Sequence, residues 1–548
     1  MRSLPKVLAP YFALAFLVPA ATCLPREDPK SCNGCSNPTA TIDSGVVTGK
    51  VTHIPGSGSS VNQFLGIPFA QPPTGDLRFA PPEKPHVWDG TYNAVAQPPA
   101  CIQDFGNRTT GSDFQQALFN TPPPPGESED CLYLNVYAPS SGGKDKPVLF
   151  WIYGGGYRFG ASSLPLYDGT SFAANQDIIV VTANYRTNLF GFPRSPQLPL
   201  DAQNLGQLDQ RLALDWVQRN IRSFGGGPGK VTIAGESAGA VSVSALINTM
   251  PVNPPFRGAI LQAGQSLIQF PPPPPNDDQT SWEALIQLLN CTDTSDAGIL
   301  ACARAVSAET LKEILQTTGL SFQSPVADNV TTLEFPAAAY AAGSVSRVPI
   351  LAGSNFDEGS SFAYGAGENV TEFLASVSLP TAIVEQIAEL YAPDSPATVG
   401  RTTGNQIIAQ IITDSSARCP AGLFANLTLT ALDVPAWQYL FNATFPNTQH
   451  PEYPGLGVYH SSEISLVFGT YPAEDSTPTQ ARLSRWMQKQ WADFVKDPQN
   501  GPGWGPYPTV GVLGASEDEA VTTRNVRDLD PVCAEWDNLY ALGLESGS

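Results

Sequence analysis

The sequence predicts an α/β fold in which helices flank a large, mostly parallel central sheet, built as a single domain with insertions. Three observations lead there. Continuous apolar runs recur along the chain, segments of helical periodicity lie between them, and one run passes through a glycine-bounded turn into a small-residue, helix-compatible stretch.

The runs cover residues 148–153, 178–183, 231–234, 259–261, 348–352 and 436–441. Most are short and several are flanked by Gly or Pro, which suits strands covered on both faces. Ahead of them, residues 46–51 fit part of an edge hairpin. Residues 205–221 carry the other signature: Leu205, Leu208, Leu212 and Trp216 recur at every third or fourth position, the spacing of a helix face. Near the C-terminus Leu483, Trp486, Met487, Trp491 and Phe494 share one helix face. Arg485, Lys489 and Asp493 form no basic stripe opposite it, so the face is expected to meet the core and not a membrane. The five prolines at 271–275 must be extended and read as an exposed loop.

A chain of 548 residues can bury a large core, although length alone does not count domains. A formal charge of -21, with no basic block anywhere, argues against nucleic acid or acidic membranes as partners. Residues 1–23 read as a secretory signal. Arg2 and Lys6 make a basic start, the apolar stretch that follows is short and carries Pro10 and Pro19, and Ala20-Ala21 stand near a cut site. The mature protein is therefore expected outside the cell, with residues 24–40 as an irregular leader and 41–548 as the functional domain. Six sequons, at Asn107, Asn290, Asn329, Asn369, Asn426 and Asn442, fit the surface of a secreted glycoprotein. Nine cysteines in an exported chain suggest disulfides more than metal ligands or catalytic thiols. Cys32 and Cys35 form one CxxC without a second pair, for which a local bridge is the milder reading. The four histidines, His53, His86, His450 and His460, are scattered, so no metal or cofactor is expected.

The sharpest local feature is Gly235-Glu236-Ser237-Ala238-Gly239, directly after one apolar run and before the small-residue stretch 240–247. Glycines two residues before and after the serine allow a sharp strand-to-helix turn that lifts the hydroxyl off the sheet edge, as in a nucleophile elbow. A bare GxSxG arises often by chance, and it is the strand and helix around it that give it meaning. Upstream, Trp151-Ile152-Tyr153-Gly154-Gly155-Gly156-Tyr157 ends another run in three glycines. Glycine lets backbone N–H groups approach a developing negative oxygen, and a simple tight turn explains one glycine better than three.

Taken with Glu129-Asp130-Cys131-Leu132-Tyr133-Leu134-Asn135-Val136, Gly66-Ile67-Pro68-Phe69-Ala70, Leu77-Arg78-Phe79, Asp209-Gln210-Arg211 and Phe224-Gly225-Gly226, these motifs make the chain resemble the type-B carboxylesterase and lipase family. That family includes the cholinesterases and secreted fungal lipases, and the resemblance runs from about residue 41 onward. It implies the α/β-hydrolase fold. It picks out Glu358 within Asn355-Phe356-Asp357-Glu358-Gly359 and His460 within Gly457-Val458-Tyr459-His460, giving the chain order serine, acid, histidine expected of that fold. His460 is then base and acid to Ser237, Glu358 orients the ring, and the N–H groups of Gly155, Gly156 and Ala238 hold the oxyanion. His53, His86 and His450 are expected to be bystanders.

The resemblance further implies three bridges, Cys101 to Cys131, Cys291 to Cys302, and Cys419 to Cys533. In similar lipases the loop closed by the first is a mobile lid, and here Phe114, Leu118 and Phe119 fit the apolar face of a short helix. A static surface loop with a packed underside fits the same residues, and periodicity does not choose between the two. Gly227 and Ala263 depart from the family pattern, which has Asp and Ser there. No tryptophan lies between Cys101 and Cys131, where cholinesterases place a cation-binding indole, so choline esters are disfavoured. The expected function is hydrolysis of uncharged carboxylic esters through an acyl-enzyme, on small-molecule or lipid substrates. Esterase, lipase and sterol esterase all stay open, the lid reading adding a transient lipid-interface contact through the 101–131 loop. The alternative is a non-catalytic adhesion or binding protein of the same fold, against which the intact Ser237, Glu358 and His460 argue.

Overall fold

Runs of Val, Ile, Phe and Trp with no polar face are stable only as strands with neighbours on both sides, and they form the middle of the molecule. A computed structural model describes residues 37–54, 58–106, 110–267, 278–377, 379–516 and 518–545. The expected signal, the leader up to residue 36 with Cys32 and Cys35, the Asn107 sequon and the prolines at 271–275 lie outside the described residues.

The strands in chain order are β1 (Thr39–Ile42), β2 (Gly45–Thr48), β3 (Lys50–His53), β4 (Ser60–Pro68), β5 (Thr91–Asn93), β6 (Tyr133–Pro139), β7 (Lys146–Ile152), β8 (Ile179–Ala183), β9 (Gly226–Glu236), β10 (Gly258–Gln262), β11 (Ile350–Asn355), β12 (Ala436–Phe441), β13 (Thr509–Leu513) and β14 (Val521–Asn525). Eleven of them make one sheet in the order β14-β13-β12-β11-β10-β9-β7-β8-β6-β4-β3. From β13 through to β8 the neighbours run parallel, while β14 at one end and β6, β4 and β3 at the other pair antiparallel. Each apolar run read from the sequence is a strand of the parallel region. Residues 46–51 do not stay together: they divide at Gly49, the first part pairing in a small sheet β1-β2-β5 and the second forming the outer strand β3 against β4.

The helix expected at 205–221 spans Leu205–Asn220, with Leu205 and Trp216 buried and Leu208 and Leu212 partly so. Several motif residues turn out to be each other's partners. Arg78 donates through Nε to Glu129 at 2.6 Å, Arg186 grips the fully buried Asp209 at 2.7 and 2.8 Å, and the Asn135 side chain accepts from Gly66 N–H at 2.9 Å. Among the described residues three disulfides close, Cys101–Cys131, Cys291–Cys302 and Cys419–Cys533.

The apolar face of the helix Pro478–Lys496 meets the core: Leu483, Met487, Trp491 and Phe494 are buried and Trp486 stacks on Trp504. Trp491 also donates its indole N–H to the Gln262 side chain at 2.9 Å, joining this helix to the end of β10. Trp491→Ala would leave both a cavity and an unpaired amide, and is expected to cost about 3–5 kcal/mol of unfolding free energy in a urea titration. A loss below about 1 kcal/mol would show that this face carries little of the packing.

Candidate active site

In a parallel sheet the loops leaving the C-terminal strand ends converge on one rim, and those after β7, β9, β10, β11 and β12 build the site. β9 stops at Glu236 and the helix Ala238–Thr249 begins at Ala238, so Ser237 alone makes the turn, at φ 56° and ψ -126°. A non-glycine residue rarely holds that conformation, and the surroundings force it. A Cβ on Gly239 would lie 2.1 Å from the Ile152 carbonyl oxygen, and one on Gly235 would lie 2.5 Å from the Gly239 carbonyl, so the two glycines let helix and strand close around the serine. Ser237 N–H donates to the Gln262 carbonyl at 2.8 Å, which pins the turn to β10.

The chain leaving β7 passes against this turn. A Cβ on Gly154 would meet the Glu236 carboxylate at 2.6 Å and the Ser237 Cβ at 2.9 Å. Gly155 and Gly156 follow at φ 105° and 59°, a backbone path that side chains rarely allow. Ala238 opens its helix, so its N–H has no carbonyl one turn back within that helix. Gly156, Ser237, Ala238, Glu358 and His460 all line one cavity of about 310 Å³. A larger one of about 560 Å³ adjoins it, lined by Gly155, Gly156, Ser237 and His460 and by the apolar side chains of Leu118, Phe119, Phe159, Leu164 and Leu166. Ala263, at φ 54°, lines the smaller cavity and donates its N–H to Gly353 at 2.8 Å, holding β10 to β11 without the family's hydroxyl. Gly227 lies against Asp145, whose carboxylate a Cβ would meet at 2.4 Å, so the usual Asp would bring two like charges together here.

His460 and Glu358 meet across 102 residues of sequence: Nδ1 lies 2.5 Å from Glu358 Oε2, and Glu358 Oε1 accepts from Asn355 N–H at 2.5 Å. Nε2 stands 3.1 Å from Glu236 Oε1 without forming a hydrogen bond to any described residue. Phe362 and Phe119 flank the imidazole, their ring centres 4.9 and 6.3 Å away. His53 and His86 are exposed and line neither cavity, whereas His450 lines the larger one with its ring 4.9 Å from Tyr453.

Two carboxylates of the site carry no signal that the sequence reading used. Glu236 occupies the variable place in GxSxG, and Glu463 stands three residues past His460. Both are buried with Glu358. Glu463 accepts from the Gln262 amide at 2.9 Å and the Asn355 amide at 2.6 Å. Burial, joined by the charges of Glu236 and Glu358, pushes Glu463 up to about 7, and burial also raises Glu236. Burial on its own would lower His460, but the negative charges of Glu236, Glu358 and Glu463 and the bond to Glu358 outweigh it and lift the imidazole to about 9. Among the described residues no group of three His, Cys, Asp or Glu side chains is arranged to hold a metal ion. Glu358→Gln removes one of the charges that favour the imidazolium, so the His460 titration, followed by ring NMR, is expected to move below its value of about 9. An unmoved titration would mean that this carboxylate does not govern the ring.

Residues 36–525 match the model of the Carboxylesterase family. The chain is 35% identical to an acetylcholinesterase of Bungarus fasciatus, over 87% of this chain and 82% of that protein. It is 33% identical to a cholinesterase of Mus musculus, over 82% and 77%. It is 32% identical to a cocaine esterase of Homo sapiens, over 86% of each. The eleven-stranded, mostly parallel sheet with its flanking helices is the α/β-hydrolase fold of that family. By sequence match and by architecture, the chain belongs to the carboxylesterase family.

Proposed function

We propose that this protein is exported and hydrolyses uncharged carboxylic esters through an acyl-enzyme formed on Ser237. The observation that carries the reading is the state of His460. Its Nδ1 is tied to Glu358, while its Nε2, without a hydrogen bond to any described residue, lines the same cavity as a serine held on a strained turn. A serine hydroxyl attacks well only when a base removes its proton as the bond to the carbonyl carbon forms. His460 Nε2 takes that proton. The carbonyl oxygen becomes an oxyanion held by the N–H groups of Gly155, Gly156 and Ala238, and Glu358 steadies the imidazolium. As the tetrahedral intermediate collapses, the ester C–O bond breaks and His460 returns the proton to the departing alkoxide. Water then attacks the acyl carbon, losing its proton to the same nitrogen, and the acid leaves Ser237 free.

The apolar lining of the larger cavity supports small-molecule or lipid esters with a hydrophobic chain. The helix Thr110–Phe119, inside the loop closed by Cys101–Cys131, lines it with Leu118 and Phe119, and is seated by Phe119 against Phe159 at 6.2 Å and by Phe114 against Tyr364 at 4.2 Å. Those contacts fit a closed lid as well as a fixed roof. The relatives are named for choline esters and cocaine, but choline esters are not the class proposed, since the 101–131 loop holds no tryptophan. Disulfides and the exposed sequons at Asn290, Asn329 and Asn369 support export.

Ser237→Ala is expected to abolish turnover of a chromogenic butyrate and labelling by an organophosphate, while the unaltered protein shows both. Turnover surviving in the alanine variant would overturn the mechanism, and an unlabelled native serine would favour the adhesion alternative. Rates measured from acetate to oleate, below and above the solubility limit, separate the two roofs: a jump as droplets form belongs to a lid, saturation on soluble acetate to a simple esterase.

A further inference from the structure

We infer that Ser461 is a positioning residue for this reaction, its hydroxyl holding the Glu236 carboxylate beside the open nitrogen of His460 so that an anion stands there when the imidazole receives the serine proton. The inference rests on the hydrolytic reading of the site proposed above.

The backbone gives the first argument. Ser461 sits at φ 71°, in the left-handed region where glycine is at ease and a residue with a Cβ is strained. A side chain kept in such a place invites the question of where it goes. Its Oγ donates to Glu236 Oε1 at 2.5 Å, and that same oxygen lies 3.1 Å from His460 Nε2. The other oxygen of Glu236 packs against Gly154, the residue whose missing Cβ makes room for it. Among the described residues, no other side chain donates a hydrogen bond to this carboxylate.

The second argument is electrostatic. A buried carboxylate is driven toward its neutral form unless a donor or a cation favours the charge. For Glu236 those are the Ser461 hydroxyl and His460, working against burial and against Glu358. The other titratable groups around the pair are Glu463 and the phenols of Tyr167, Tyr185 and Tyr439, each raised first by burial, so that the phenols stay neutral. Without the hydroxyl, Glu236 loses a hydrogen bond to its charged form and takes up a proton more readily. The anion next to Nε2 is then present less of the time. The imidazolium loses part of its stabilisation, in the resting ring and in the transition state alike, and the ring's titration moves to lower pH.

Ser461→Gly isolates the effect, because glycine relieves the backbone strain while removing the hydroxyl; Ser461→Ala removes the hydroxyl with the strain kept. Two readouts are made on each. Ring NMR follows the His460 imidazole, one of four histidines in the chain, and kcat/KM for a soluble ester is measured against pH. Both variants are expected to titrate His460 at lower pH and to move the acid limb of kcat/KM the same way. A fall in kcat on the order of tenfold should accompany this, the scale of one hydrogen bond to a charged group. The glycine variant should melt no lower than the native protein. An imidazole titration and an acid limb that both stay in place in the folded glycine variant overturn the inference. The NMR arm needs no turnover: a protein that hydrolyses no ester would sink the proposed function, while the movement of the imidazole would still decide the role of Ser461.

Discussion

The contact between the His460 ring and the Glu358 carboxylate is the constraint to which the rest of the site is fitted. The two groups come from loops after different strands, and both are withdrawn from water. In such a place a charge without a partner is far more costly than at the surface, and the cost of misplacing either side chain is correspondingly high. The protein meets it by fixing the carboxylate at its other oxygen through the Asn355 N–H, at the very end of β11. Asn355 also binds Glu463 through its side chain, and Glu463 binds Gln262, which Trp491 holds from the far helix. One buried hydrogen-bonded chain thus runs from a core helix to the imidazole. The rigidity of the sheet is delivered to the reacting groups along it.

The same network gathers three carboxylates around one imidazole. Like charges in a low dielectric repel strongly, and burial drives Glu463 and Glu236 toward their neutral forms. The group is tolerable because each carboxylate has at least one donor and because one positive ring is shared among them. The arrangement favours a proton on His460 and so opposes the free base in the resting protein. It also lowers the energy of the moment when that ring is charged. A site meant only to keep histidine neutral would not be built with this many acids.

How much of this could be read beforehand follows from what each signal measures. Strands of the parallel region stood out because burial on both faces leaves no alternating polar face, as in β7, β8 and β12. β14, with Thr523, Arg524 and Asn525 exposed on an outer strand, has no apolar face and gave no pattern to find. Residues 46–51 form one apolar-rich run in sequence, but nothing in a run says which of two sheets each half joins. At the site, Ser237, Glu358 and His460 stood inside recognisable local patterns. Glu236 and Glu463 did not announce themselves, since their importance lies in desolvation and mutual distance, quantities that exist only once the chain has folded. Ser461 belongs to none of the quoted motifs, and its backbone angle and its partner exist only in the fold.

The bridge between Cys101 and Cys131 has a mechanical side. Cys131 lies just before β6, an internal strand of the great sheet, so both feet of the intervening segment stand on one rigid base. Any displacement of the helix over the cavity is then the flexing of a closed ring. It cannot swing away as a free arm, and its path must be taken up by turns within the ring. The closed ring also shortens the free length of that segment in the unfolded chain, which lowers the entropic cost of seating it over the cavity.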